Sequence, residues 1–272
     1  MKYFVISDVH SYYAPMKEAL DKAGFDPKNE NHTLILAGDL FDRGDDTKEV
    51  YKYIKKLPRK ILVRGNHEDL FEDMVNRGFY YSYDVHNGAV KTICSLNNKE
   101  GVDYDYLDEG DMRIPAHSAK TKELIKWIDE NYVDYAEFSK FIVVHSYLPT
   151  ESIKSGKWDY PDKMIRMRNW RKAGEAAWEK SRWGNPYDYM KHIGGIPKGK
   201  KLIVGHWHVS YAWFKETGTP EFREGAKFDT WEGENLIMID ACTAISGKSN
   251  VFVFEDNKAP KLGKTRNQWK NG

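Results

Sequence analysis

Short, mostly continuous apolar runs recur along the chain at residues 3–6, 33–37, 60–63, 141–144, 201–204, 236–239 and 251–254. Their length suits strands, and their unbroken apolar character suits strands covered on both faces. Between the first three, and again after the third, the period lengthens to that of amphipathic helices. These span residues 15–23, closed by Gly24, residues 47–56, closed before Pro58, and residues 69–76, closed before Gly78. Strand and helix alternating at this spacing predict an α/β fold with parallel crossovers. Asp8, Asp39 and Asn66 then fall at the carboxyl ends of neighbouring strands, the edge where open α/β sheets bind ligands.

The pattern weakens elsewhere. Residues 79–118 are polar, aromatic and rich in Asn, Gly and Asp, and read as loop, cap or short helices ahead of a helix at 121–131. Residues 146–200 form an insertion carrying Trp158, Trp170, Trp178 and Trp183 among many Lys and Arg residues, and read as a cap over the site edge. Its tryptophans either stack on a nucleobase, clamp a peptide or make the cap's own core, and the last is preferred, since large rings fill a small interior. Residues 215–234 lack a linker's composition. The expected organisation is one domain over 1–255 followed by a polar basic tail, 256–272, which reads as a solvated end rather than a nucleic-acid arm.

Composition narrows the class. At 272 residues roughly three quarters of the extended surface can be buried, so one elaborated domain is the default. Hydrophobic residues at 40% and aromatics at 14% supply a core and exclude a disordered chain, although a mean hydropathy of −0.72 marks a polar surface. Lys plus Arg (42) nearly balances Asp plus Glu (41), and the net charge of +1 gives no general pull toward nucleic acid or anionic membrane. Any attraction for phosphate must be local. Cys94 and Cys242 are too few for a disulfide framework, so free thiols in a reducing compartment are expected. Residues 1–8 lack the apolar core of a signal peptide, and no apolar run approaches the ~18 residues of a membrane span. A soluble, cytoplasmic protein is expected.

Candidate chemistry gathers in five blocks, each directly after an apolar run: Asp8-Val9-His10, Gly38-Asp39-Leu40-Phe41-Asp42-Arg43-Gly44, Gly65-Asn66-His67-Glu68, His145, and Gly205-His206-Trp207-His208. Carboxylates, an amide and imidazoles lifted to strand ends suit a pair of divalent cations. A carboxylate between two cations can bridge them at roughly 3.5–4 Å, and Asp39 is the residue expected to do so. One cation then takes Asp8, His10 and His208, and the other takes Asn66, His145 and His206. His206 and His208 share a face on an extended segment, whereas a bend there would aim them at different cations. Read singly, His145 and His206 are core histidines; read together with the other blocks, they are ligands.

In this order the blocks resemble the calcineurin-like metallophosphoesterases. Gly38-Asp39-x-x-Asp42-Arg43-Gly44 with Arg64-Gly65-Asn66-His67-Glu68 resembles the phosphoprotein phosphatase branch, and Asn87-Gly88-x-x-x-Thr92-x-x-Ser95 extends the likeness to bacterial members through about residue 95. The resemblance implies an α/β metallophosphoesterase-type two-sheet β-sandwich flanked by α-helices, with a bimetal site at the ends of its central strands. It implies two divalent metal ions, manganese first, with iron, zinc or nickel accepted by the same donors. It also implies a metal-bridging hydroxide attacking phosphorus in line, while His67, held by Asp42, protonates the departing oxygen. Arg43 is expected to grip the phosphoryl oxygens with its planar fork, against the alternative of a surface ion pair with Asp45 or Asp46. The family uses a second arginine between the last two histidine blocks. Among Arg166, Arg168, Arg171 and Arg182, the Trp178-x-x-x-Arg182 spacing favours Arg182, and Arg64 is either structural or part of the phosphate site.

Two departures from that branch loosen the substrate. His208 restores the Gly-His-x-His form of the wider superfamily, and Ser146-Tyr147 follows His145 where a small, glycine-containing pair is usual. The leading expectation is a metal-dependent phosphomonoesterase acting as a Ser/Thr phosphoprotein phosphatase. The alternatives are a hydrolase of dinucleoside polyphosphates of the diadenosine tetraphosphate type or of other nucleotides, and a binding module on a decayed phosphoesterase scaffold. Expected partners are a phosphorylated protein or a small phosphate ester or nucleotide, without stable nucleic-acid binding and without a membrane.

Overall fold

The structure, a computed structural model, describes residues 1–98, 117–154 and 163–271. Two sheets stack face to face. In the first, the order is β12 (Phe252–Glu255), β1 (Lys2–Ile6), β2 (His32–Ala37), β3 (Lys60–Val63) and β4 (Tyr132–Val133), all parallel except the antiparallel pair β12 and β1. In the second, the order is β10 (Trp231–Glu232), β11 (Leu236–Met238), β9 (Lys201–Val204), β6 (Phe141–Val143), β5 (Ala136–Glu137) and β13 (Lys261–Leu262), with β11, β9 and β6 parallel. A hairpin of β7 (Thr150–Ile153) and β8 (Lys163–Arg166) stands apart.

The continuous apolar runs are resolved by the period of two. Tyr3 and Val5, Ile35 and Ala37, Val63, Val143, Ile203 and Ile237 point between the sheets, where they meet in one buried cluster. Their neighbours Phe4, Ile6, Leu34, Leu36 and Leu62 face the other way, against Met16 and Leu20 of α1 (Tyr13–Lys22), Val50 and Ile54 of α2 (Thr47–Lys56) and Phe71 and Met74 of α3 (Asn66–Arg77). Burial on both faces is why these strands carry no polar alternation, each enclosed aliphatic side chain contributing roughly 1.5–3 kcal/mol. The register aligns Ile6 with Leu36 and Ala37 with Val63, so β1, β2 and β3 end level and place Asp8, Asp39 and Asn66 along one edge. The α/β two-sheet sandwich flanked by helices matches the expectation.

In the 146–200 segment Trp170 and Trp178 are fully buried and pack with Tyr135, at ring-centroid distances of 4.9 and 5.3 Å, over Leu202, Val204 and Met238. The outer face of the second sheet needs an apolar cover, and these rings of the segment provide it. Trp158 lies outside the described residues. One regional expectation is corrected: the basic tail is not a solvated end. β13 pairs with β5, Thr265 bridges to Val133, and the helix Arg266–Lys270 places Trp269 Nε1 3.0 Å from Asp134 Oδ2 and Lys270 Nζ 2.8 Å from Asp129 Oδ2. Buried carboxylates on the sandwich supply the partners that its cations need. Of the 79–118 stretch, the described part forms short helices, Ser82–Asn87 and Ala89–Leu96. Among the described residues no helix is long and apolar enough to cross a membrane.

Candidate metal centre

The strand-end loops are built in an unusual backbone conformation. Of nine described non-glycine residues with positive φ, eight lie here: Asp8, His10, Ser11, Asp39, Asp42, Arg43, His206 and Cys242, at φ between 47° and 73°. Such angles are disfavoured for residues with a Cβ and persist where the surroundings over-determine them, which marks functional sites. Packing tolerates no side chain at two of the adjoining glycines. A Cβ on Gly38 would sit 2.2 Å from His145 Nδ1, and one on Gly205 would sit 2.0 Å from Asp8 Oδ2.

Two triads of donor atoms, each within 4.8 Å of one another, share one residue: His10, Asp39 and His67, and Asp39, His145 and His206. His10 Nε2 lies 3.8 Å from Asp39 Oδ2, and His145 Nε2 lies 3.3 Å from Asp39 Oδ1. Asn66 Oδ1 adds an oxygen to the second triad, 2.8 Å from His145 Nε2 and 2.9 Å from His206 Nδ1. Outer partners aim the rings. His10 Nδ1 donates to the Phe41 carbonyl at 3.0 Å, and His145 Nδ1 donates to the Ala37 carbonyl at 2.8 Å, which leaves each Nε2 lone pair facing the cluster. Oxygen and imidazole donors converging around a shared carboxylate fit a pair of divalent cations.

Electrostatics agree with that fit. Burial pushes Asp8 well above the usual carboxylate range, and the neighbouring Asp240 charge adds to the shift. Burial would raise Asp39 too, but the charges of His145 and His67 outweigh it and hold Asp39 well below. Burial opposes protonation of His145, yet Asp39 lifts it to about 10, whereas burial and then His145 drive His206 down to about 3. The opposed shifts of Asp39 and His145 thus arise from one buried acidic cluster, the kind of charge that divalent cations neutralise.

The remaining sequence expectations divide. His67 Nδ1 donates to Asp42 Oδ2 at 2.8 Å, and Asp42 Oδ1 accepts Thr92 Oγ1 at 2.7 Å. Arg43 is exposed, with Nη2 3.1 Å from His67 Nε2. Asp45 pairs with Lys91 at 2.7 Å and Asp46 accepts the Tyr13 N–H at 3.0 Å, so neither holds Arg43 as the ion-pair alternative required. Asp8 stands beside the triads, its oxygens accepting the His206 N–H at 3.0 and 3.1 Å.

His208 is not brought to the cluster. The positive φ of His206 turns the chain, His208 precedes the helix Val209–Thr217, and its ring nitrogens lie 2.9 Å from Ser210 Oγ and 3.1 Å from Glu221 Oε1. Arg182 is not a phosphate ligand here. It is buried, pairing through Nη1 with Asp69 Oδ2 at 2.7 Å and through Nη2 with Asp134 Oδ1 at 2.8 Å. Arg64 is structural as well, bonded to Asp69 at 2.6 Å, to Asp129 at 3.3 Å and to Glu72.

Sequence reasoning missed Glu68, Thr92 and Asp240. Glu68 and Thr92 sit inside recognised blocks but act on other residues of the site, Glu68 through the Asp39, Leu40 and Gly65 N–H groups and Thr92 through Asp42. Asp240 follows the apolar run at 236–239, the same strand-end signal that marks Asp8 and Asp39. It is buried, its Oδ1 accepts the Cys242 N–H at 2.7 Å, and burial pushes its carboxyl up to about 6.

With this geometry in place, comparison with known proteins identifies the chain. The model of the calcineurin-like phosphoesterase family matches residues 1–210. An asymmetrical bis(5'-nucleosyl)-tetraphosphatase of Bacillus velezensis is 40% identical over 213 residues, 67% of this chain and 75% of that protein. A symmetrical bis(5'-nucleosyl)-tetraphosphatase of Buchnera aphidicola is 30% identical over 161 residues, 58% of this chain and 47% of that protein, so the match spans about half the length of such relatives. A solved structure described as a putative diadenosine tetraphosphatase is 16% identical, covers 97% of this chain and 94% of its own, and has a TM-score of 0.48. A family model covering most of the chain and a relative 40% identical over three quarters of its own length place this protein in the calcineurin-like phosphoesterase family.

Proposed function

We propose that this protein is a dinuclear metal-dependent phosphoric ester hydrolase whose substrate is a dinucleoside polyphosphate. The observation that carries the reaction class is Asp39, common to two converging donor triads with the His67–Asp42 pair alongside. The substrate reading rests on the relatives named as bis(5'-nucleosyl)-tetraphosphatases. His10 and Asp39, with Asp8 adjacent, would hold one cation, and Asp39, Asn66, His145 and His206 the other. Manganese is the first choice. When bound, the cations supply Lewis-acid polarisation and a lowered pKa for water.

The chain's own groups do the rest. In the arrangement seen, His67 Nδ1–H is committed to Asp42, so Nε2 accepts from Arg43. A proton arriving on Nε2 repels the guanidinium, which is then free to fork onto two phosphoryl oxygens. Water's oxygen bonds to phosphorus and sheds one proton to solvent as the P–O bond to the leaving group breaks; His67, charged beforehand by a proton from solvent and steadied as imidazolium by Asp42, gives its Nε2 proton to the departing oxygen and returns to the neutral form.

Steady-state assays of one manganese-loaded preparation on diadenosine tetraphosphate, phosphopeptides and para-nitrophenyl phosphate test this reading. Diadenosine tetraphosphate is expected to give the highest catalytic efficiency. Activity should disappear with chelator and return with manganese, and Asp39→Asn should lose nearly all of it. A much higher efficiency on phosphoserine peptides would move the substrate to proteins. Inertness toward every ester would favour a binding module.

A further inference from the structure

We propose that Trp183 is the stacking platform for a nucleobase, holding a purine nucleoside 5'-polyphosphate with its base on the indole and its phosphates in the metal centre. This deepens the dinucleoside polyphosphate reading and rests on it.

Trp183 is 48% exposed. A single exposed tryptophan needs no explanation by itself, but this one has a particular position and a fixed backbone. Its ring centroid lies 6.4 Å from that of His206, at an interplanar angle of 81°, next to the second donor triad. Arg182 before it is anchored by Asp69 and Asp134. Gly184 after it accepts Ser146 Oγ, and a Cβ there would sit 2.2 Å from the Tyr189 ring. Meanwhile Trp170 and Trp178, from the same segment, are wholly buried in the second sheet's outer cluster.

The segment therefore buries two of its rings and holds a third in solvent on an immobilised backbone. A rigid aromatic face gains stacking energy with little ordering cost, because its geometry is set before the ligand arrives. Polarity along the edge gives the direction. Arg43, and cations held by the donor triads, would draw the anionic phosphates, which leaves the uncharged, flat end of the ligand for the apolar indole. The burial of Arg182, unexplained as phosphate recognition, acquires a positioning role through the residue that follows it.

The test pairs a ligand with a base and one without. Calorimetric titration of the manganese-loaded parent, Trp183→Ala and Trp183→Phe would use the β,γ-methylene analogue of ATP and inorganic tripolyphosphate, alongside kinetics on diadenosine tetraphosphate. Trp183→Ala should weaken the adenosine analogue about tenfold or more, the order of one lost base–aromatic stack. Trp183→Phe should recover most of that loss, and tripolyphosphate affinity should shift far less than the analogue's. Equal losses on both ligands, or a Phe variant no better than Ala, would overturn the stack. So would weakening of a phosphopeptide with the nucleotide analogue unaffected. Failure of the underlying reading looks different: the parent does not cleave diadenosine tetraphosphate. Failure of the stack alone leaves that cleavage intact and undiminished in Trp183→Ala.

Discussion

The Glu68 carboxylate accepts the main-chain N–H of Asp39 at 3.0 Å, and with it those of Leu40 at 3.0 Å and Gly65 at 2.8 Å. One buried side chain thereby ties the loop after β2 to the start of α3 and holds Asp39 at its left-handed φ of 55°. In Glu68→Gln one acceptor becomes a donor facing backbone N–H groups, which loosens the shared carboxylate while leaving the sandwich core untouched. Outer partners of this kind are worth about 10–100-fold in metal affinity. Manganese titration of the metal-free variant should show a loss of that order with an unchanged circular dichroism spectrum. Parent-like affinity would remove Glu68 from the centre's support.

The strand-end placement of Asp8, Asp39 and Asn66 was legible for a physical reason: a strand covered on both faces writes a continuous apolar run, and its end is visible as the first polar residue. Asp240 carries the same mark, as the first polar residue after the apolar run at 236–239. His208 failed for a local reason. A period of two assumes extended backbone, and the positive φ at His206 ends that extension within one residue. Arg182 and the basic tail failed for a non-local one. Whether an arginine faces phosphate or a buried aspartate is decided by Asp69 and Asp134, 113 and 48 residues away, and no local pattern encodes that pairing. The tryptophans of the insertion divide the same way, since only the second sheet's outer face shows which of them it needs.

Thr92 donates to Asp42 Oδ1 at 2.7 Å, while the other oxygen of Asp42 accepts His67 Nδ1 at 2.8 Å, so the hydroxyl fixes the carboxylate that fixes the imidazole. If His67 protonates the departing oxygen, its importance must scale with how poor the leaving group is. His67→Asn should lose about 10²–10⁴-fold in kcat on an alkyl phosphate and much less on para-nitrophenyl phosphate, whose phenolate departs readily. Thr92→Val should show the same pattern at smaller amplitude. Metal analysis accompanies the kinetics, because His67 also falls in the first donor triad. Two cations retained with a leaving-group-dependent defect supports the proton donor; loss of one cation with a uniform defect makes His67 a ligand.

Arg182 should prove a stability residue with a definite pH signature. Its side chain is 4% exposed and pairs with two carboxylates that are themselves buried. Arg182→Met strands part of that negative charge and should cost about 3–5 kcal/mol in denaturant unfolding at pH 7. Burial pushes Asp69 up, but the charges of Arg182 and then Arg64 hold its carboxyl below the ordinary value. A depressed folded-state value means that its contribution is complete above the unfolded reference of about 3.9 and is lost as pH falls through the folded value. Asp134 runs the other way. Burial outweighs Arg182 and raises it, so its share is present at low pH and declines as pH rises through that raised value. Once both carboxyls are protonated the arginine has little left to neutralise. The gap between parent and variant should therefore be widest near neutrality, begin to narrow as Asp134 protonates above the ordinary carboxylate value, and close further as Asp69 protonates below it. Unchanged unfolding at pH 7, together with a raised KM for base-free tripolyphosphate, would instead return Arg182 to the phosphate site.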